Sequence, residues 1–243
     1  MPIPPPMEGV PQGLEYLTMV NKIMVHQLYE VLELVTGFET KNKYVLRNGN
    51  GEQVCYAFEE SNCCERQCCG SRRGFTIHIV DNFKREVMRI QRPFICCGGG
   101  CYGLFANLSG CASSCTIEAP PGNLIGTVQQ RGAFCATLLN LKDANDAVIL
   151  DINGPCCCLL LGCHDKEFTV VKIFFLLFIK PVEMIVVNTP NGDTIGSITK
   201  KWSGCIWETF TDADIFSVTF PTDLDVKAKA ILLGATFLIV RFS

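Results

Sequence analysis

Along most of the chain, short arms of alternating or β-branched apolar residues are separated by turn formers. Tyr44-Val45-Leu46 and Val54-Cys55-Tyr56 flank Asn48-Gly49-Asn50-Gly51, and Phe75 to Val80 and Glu86 to Ile90 flank Asp81-Asn82. Ala136 to Leu141 and Ala147 to Ile152 flank Asp143-Ala144-Asn145-Asp146. Met184 to Val187 and Thr194 to Ile198 flank Thr189-Pro190-Asn191-Gly192-Asp193. Each is a β-hairpin signature. Hairpins in succession predict an antiparallel meander, and a sheet that long hides its edges by closing into a barrel.

The end of the chain has a different pattern. A helix is expected from near Asp225, over residues 226–240, through Ala230, Leu232, Leu233, Phe237 and Leu238. It is apolar on nearly every face, which places it inside something. A closed sheet around a central apolar helix satisfies both patterns. Residues 1–13, with Pro2, Pro4, Pro5, Pro6 and Pro11, read as a proline-rich leader available to protein partners, ahead of one barrel domain over 14–243.

Composition narrows the function. The chain has 243 residues, 48% of them apolar, with 21 basic against 24 acidic side chains. That excludes a disordered chain and gives no bulk attraction for nucleic acid. The run Ile173 to Ile179 is short, and Ala230 to Val240 as a helix would reach only roughly 16 Å of a hydrocarbon core of about 30 Å. Neither run predicts an ordinary membrane span. The three histidines, His26, His78 and His164, form no catalytic motif, and Cys163-His164 is an adjacent pair and not a nucleophile with its base. No enzyme active site is expected.

Cysteine is the outlier, with 16 residues, many adjacent: Cys63-Cys64, Cys68-Cys69, Cys96-Cys97 and Cys156-Cys157-Cys158. Neighbouring cysteines rarely reach bridging geometry with each other. The start, Met1-Pro2-Ile3-Pro4-Pro5-Pro6, lacks a basic n-region and an apolar h-region, so reduced thiols in the cytoplasm are expected. Such clusters suit thioacylation or metal binding. Cys63, Cys64, Cys68 and Cys69 supply enough thiolates for a tetrahedral site, but no second pair follows at finger-like spacing.

A series of motifs carries a resemblance. In order they are Gly13-Leu14-Glu15-Tyr16-Leu17, His26-Gln27, Leu34 to Thr40, Cys63-Cys64-Glu65-Arg66-Gln67-Cys68-Cys69-Gly70 and Gln91-Arg92-Pro93. Ala119-Pro120-Pro121-Gly122, Phe210-Thr211-Asp212-Ala213-Asp214 and Phe220 to Lys227 follow. Over about 90% of its length the chain resembles the phospholipid scramblases. The resemblance implies a mainly β, tubby-like fold: a twelve-stranded antiparallel barrel around a hydrophobic C-terminal helix. It implies calcium-stimulated, ATP-independent, bidirectional movement of membrane phospholipids between leaflets. It also implies palmitate on cysteines after the Arg-Pro motif, here Cys96, Cys97 and Cys101, with Cys111 and Cys115 beyond. Cys156, Cys157 and Cys158, beside Leu159-Leu160-Leu161, are a second acylation candidate. The expected location is the cytoplasmic face of the plasma membrane, by lipid anchor. The segment Gly196 to Gly204, with Lys200, Lys201 and Trp202, is similar to the family's nuclear-import signal and implies a nuclear pool.

The resemblance assigns calcium to the stretch opening at Asp212, with Asp214 and Asp223 as further carboxylates. The residues fit an EF-hand poorly, since Phe216 has no ligand oxygen and Ser217 replaces the turn glycine. The alternation of Ile215, Ser217 and Thr219 against Phe216, Val218 and Phe220 also reads as a strand. Residues 171–187 are longer and more apolar than in the family. An acyl-anchored binding or signalling adaptor, without transport, is the second functional expectation.

Overall fold

A computed structural model describes residues 7–28, 42–62, 65, 68, 69, 73–95, 112–132, 136–156, 184–201 and 215–240. Twelve strands form one closed antiparallel barrel. They are β1 (Lys22–Leu28), β2 (Lys43–Asn48), β3 (Gln53–Glu60), β4 (Phe75–Asp81), β5 (Glu86–Arg92), β6 (Ser114–Glu118), β7 (Leu124–Gln130), β8 (Ala136–Asp143), β9 (Val148–Cys156), β10 (Met184–Asn188), β11 (Thr194–Lys201) and β12 (Ile215–Thr219). Each pairs with its sequence neighbour, and β1 closes the ring on β12 through Ile23↔Val218. The barrel around a C-terminal helix is as the sequence predicts.

The four predicted hairpins form at the expected turns, as β2–β3, β4–β5, β8–β9 and β10–β11. A further hairpin, β6–β7, turns at Ala119-Pro120-Pro121-Gly122, where Gly122 takes a φ of +91° and the Ala119-Pro120 bond is cis. The residues 215–219 are strand β12.

The helix α1 (Val226–Val240) fills the barrel, with every residue after Lys227 buried. Asp225 caps it, its carboxylate accepting from Lys227 N at 2.9 Å and Ala228 N at 3.2 Å. The alternating strand faces supply the lining: Ile23, Leu46, Ile77, Ile79, Ile90, Ile117 and Ile152 are all fully buried. The Tyr44 ring meets Phe237 edge-on at 5.2 Å between centroids. At Gly126 on β7 the wall comes so close that a Cβ would collide with Ile231 of α1 and with the Lys142 carbonyl. Burial of each large aliphatic here is worth about 1.5–3 kcal/mol.

Part of the proline-rich leader packs too. Pro11 is buried, Val10 lies against the core, and a 3-10 turn (Glu15–Thr18) buries Leu14 and Leu17 over the start of α1. Gly13 enters that turn at φ +92° with no room for a Cβ beside Val87.

In an antiparallel meander, alternate connections fall at opposite ends. One end takes the tight turns 49–52, 82–85, 119–123, 144–147 and 189–193, together with 220–225, where the chain enters α1. The other takes the connections 29–42, 61–74, 93–113, 131–135, 157–183 and 202–214. We call these the turn end and the cysteine end.

Candidate functional site

The chain has 16 cysteines; among the described ones, Cys55 on β3 and Cys115 on β6 belong to the core. The other fourteen all fall in connections of one end, or close β9 at that same end in the case of Cys156. Strand parity alone does this. Segments far apart in sequence, 61–74, 93–113 and 157–183, leave from and return to one rim.

The two core thiols are chemically quiet. Burial pushes Cys115 up to about 12 although the Arg92 charge pulls the other way. Burial likewise takes Cys55 to about 11, while its Sγ donates to Tyr16 Oη at 3.5 Å. A thiol held neutral and out of water is a poor nucleophile. Cys115 therefore drops out of the acylation region that the sequence outlines. Cys96, Cys97, Cys101, Cys157 and Cys158 lie outside the described residues, as do Cys63 and Cys64. Cys68 is exposed and Cys69 half-buried. Among the described residues no group of His, Cys, Asp or Glu is arranged to hold a metal.

Just inside the cysteine end runs a buried polar chain that the sequence pattern does not reveal. Gln27 Nε2 donates to Asn42 Oδ1 at 3.0 Å, and Asn42 Nδ2 donates to Glu59 Oε2 at 2.6 Å. Arg73 Nε reaches Glu59 Oε1 at 3.1 Å, both side chains almost wholly buried. The chain joins β1, β3 and the residues leading into β2 and β4, so it fixes where the connections 29–42 and 61–74 re-enter the wall. Gln27 belongs to a motif the sequence singles out; Glu59 and Arg73 belong to none. Beside them an open cleft of about 570 Å³ is lined by Glu60, Glu65, Gln91, Arg92, Phe94 and Thr116, among others.

The outer wall is polar. Registered across β3 to β6 lie Glu60, Thr76, Gln91 and Thr116, and one row on, Phe58, His78, Arg89 and Glu118, with the Phe58 ring stacked on His78. His78 contacts Glu86 at 2.8 Å and Glu60 at 3.0 Å, and Arg89 contacts Glu86 at 2.8 Å. The Arg89 hydrogen bonds, then His78, hold the Glu86 carboxyl below its usual range. A barrel that faces lipid is apolar outside and polar within; this wall is the reverse. No helix among the described residues is long and apolar enough to cross a membrane.

Among the described residues, Lys229, on the helix, is the one lysine in the core. Its Nζ donates to the carbonyls of Leu17 at 2.8 Å, Thr222 at 2.8 Å and Val20 at 3.3 Å, with the Phe220 ring 5.2 Å away. Burial lowers its pKa, against the opposing pull of Asp223 and Asp225.

Asp212 and Asp214 lie outside the described residues; Asp223 is exposed at the turn end, after the whole of β12. Lys200 and Lys201 close β11 opposite Phe216 and Ile215, with Lys200 Nζ 5.6 Å from the Phe216 ring centre. The import-like segment thus begins inside a strand; Trp202 lies outside the described residues. Ala230, Leu232, Leu233, Phe237 and Leu238 are all core.

A scramblase family model matches residues 1–173 and 181–242. The chain belongs to the phospholipid scramblase family. Phospholipid scramblase 1 of Mus musculus is 40% identical over 239 residues, which is 98% of this chain and 66% of that protein. Phospholipid scramblase 1 of Homo sapiens is 40% identical over 98% of the chain and 68% of its own length, and phospholipid scramblase 2 of Homo sapiens 40% over 98% and 72%. The chain spans about two thirds of the length of these relatives. No solved structure matches it. Residues 174–180, within the apolar stretch 171–187, fall between the two matched pieces.

Proposed function

We propose that this protein moves phospholipids between the two leaflets of a membrane, in both directions, without ATP and with stimulation by calcium. It is held at the cytoplasmic face by acyl chains on cysteines after Gln91-Arg92-Pro93 and after β9. One observation carries the reading: membership of the phospholipid scramblase family across nearly the whole chain. The fourteen cysteines directed to one rim support the anchor, because several acyl chains on one surface bind a bilayer far more firmly than one.

The filled barrel constrains the mechanism. Helix α1 occupies the interior, so no lumen is left for a lipid in this state. Headgroups must pass outside the barrel, along polar protein surface. The same fact favours a second reading, an acyl-anchored adaptor without transport. Vesicles loaded with a fluorescent phospholipid and exposed to a membrane-impermeant reductant separate the two. Transport predicts bleaching of both leaflets in protein-containing vesicles, without ATP and faster with calcium. Bleaching of the outer leaflet alone, as in empty vesicles, overturns it and leaves the adaptor.

A further inference from the structure

We propose that the open cleft on the outer wall of β3 to β6 binds the headgroup of a zwitterionic phospholipid, an ammonium joined to a phosphodiester. The proposal rests on the lipid-moving reading above and gives the headgroup a station outside the filled barrel.

Strand register builds the cleft. Glu60, Thr76, Gln91 and Thr116 stand opposite one another on four neighbouring strands and so share one face. At about 4.8 Å per strand, the row runs about 14 Å. It passes from a carboxylate, across a hydroxyl and an amide, to a second hydroxyl. The volume of about 570 Å³ is that of a small-ligand site. The next row is different, because its groups satisfy one another: Phe58 stacks on His78, and His78 and Arg89 both meet Glu86.

Charge is divided along the cleft. Two carboxylates lie toward β3. His78 Nε2 meets Glu60 Oε2 at 3.0 Å and orients a side chain that is 69% exposed. The Gly74 N–H donates to Glu65 Oε2 at 3.0 Å and holds the second carboxylate at the cleft. Phe94, 51% exposed, adds an aromatic surface to the rim. Carboxylates with an aromatic ring suit an alkylammonium group. Among the described lining residues the one cation is Arg92, buried with its guanidinium 5.5 Å from the Phe75 ring centre. A lone anion would meet the carboxylates with no exposed basic side chain of that lining to hold it.

A zwitterionic headgroup fits this division. Two carbons and one oxygen separate its nitrogen from its phosphorus, a reach comparable with one strand spacing. With the ammonium at Glu60 and Glu65, the phosphate oxygens lie over Thr76 and Gln91, whose hydroxyl and amide groups donate to them. The glycerol then reaches Thr116.

The full chain, isotope-labelled and free of membranes, is titrated with glycerophosphocholine, which has the headgroup and no acyl chains. Amide resonances of Thr76, Gln91 and Thr116 are expected to shift, and those of Asn145 and Asn191 at the turn end to stay. Glu60→Gln is expected to weaken binding several-fold. Thr116→Val should weaken it too, with an unchanged circular dichroism spectrum. Glycerophosphoglycerol, which lacks the ammonium, should leave the row unshifted. Dihexanoylphosphatidylcholine below its micellar concentration should bind several-fold more tightly than glycerophosphocholine; equal affinity makes the ligand a soluble phosphodiester and overturns the assignment to lipid. No shift along the row, or equal shifts with glycerophosphoglycerol, also overturns it. A chain without those shifts that still bleaches both leaflets loses the cleft and keeps transport. A chain that binds at the row but bleaches the outer leaflet alone keeps the cleft and loses transport.

Discussion

Lys229 Nζ lies 2.8 Å from the carbonyl oxygen of Leu17, joining the inside of the barrel to the turn that covers it. Residues 212 positions apart are thereby held together, and the ammonium group is solvated by backbone in place of water. Replacing Lys229 with alanine leaves these carbonyls dry, at about 1–3 kcal/mol each for a buried unsatisfied group. A large drop in denaturation midpoint is expected by urea titration. A wild-type midpoint would mean that water replaces the ammonium at no cost.

Leu233 faces the same interior, 1% exposed, farther along α1. Leu233→Asp would bury a carboxylate without a partner, a cost of several kcal/mol. The expected outcome is insoluble or unfolded protein by circular dichroism. A folded, soluble Leu233→Asp protein that no longer binds membranes would instead mean that α1 leaves the barrel to insert.

The fold was legible where local chemistry decides it. Asn-Gly and Asp-Asn turns between alternating arms announce hairpins, and a helix without a polar face announces a filled interior. Strand β1 was less so: it lacks a turn of its own, and its partners are β12, the last strand of the barrel, and β2, beyond residues 29–42. Hairpin β6–β7 was hidden by Pro120-Pro121, which reads as a loop. Lys227 and Lys229 look alike in sequence, yet one is exposed and the other core, since residues two apart on a helix face different ways. The candidate site was legible only in pieces. Each cysteine cluster suggests thiol chemistry by itself, but their gathering at one rim depends on counting strands around a closed ring.

Thiol reactivity should divide along that line. Iodoacetamide at neutral pH is expected to label Cys68 and to spare Cys55 and Cys115 in the folded chain, read by peptide mass spectrometry. The buried pair also sets a pH dependence. Unfolded thiols ionise near their ordinary value of 9.0, whereas the folded ones wait until about 11 and about 12. Protons are therefore lost first by the unfolded state, and this contribution to stability, complete below pH 9, declines as pH climbs toward 11–12. Cys115→Ala should flatten that decline in denaturation curves collected between pH 8 and 10.5; a slope unchanged by the substitution would refute the assignment.

Acylation predicts a separable set of effects. Hydroxylamine, which cleaves thioesters, should release the protein from membranes to the soluble fraction. Substituting Cys96, Cys97 and Cys101 with serine should release part of it, and adding serine at Cys156, Cys157 and Cys158 should complete the loss. Full retention after both sets of substitutions would rule out these cysteines as the anchor.

Calcium is where strand geometry constrains the family's expectation most. A bound calcium holds its oxygens at about 2.3–2.6 Å, so its ligands lie within about 5 Å of one another. Asp214 precedes β12 and Asp223 follows it, and a five-residue strand rises about 13 Å between its first and last Cα. The strand cannot coil to bring them together, because it is paired on both sides, to β1 and to β11, with Phe216 and Val218 in the core. Folding residues 212–223 into an EF-hand loop would open the barrel. Calorimetry is therefore expected to show no micromolar calcium site dependent on Asp223, and Asp223→Ala should leave any calcium response of lipid movement unchanged. A shared site makes the opposite forecast, that Asp214→Ala and Asp223→Ala abolish the same micromolar binding to the same degree. That result would require β12 to leave the wall when calcium binds.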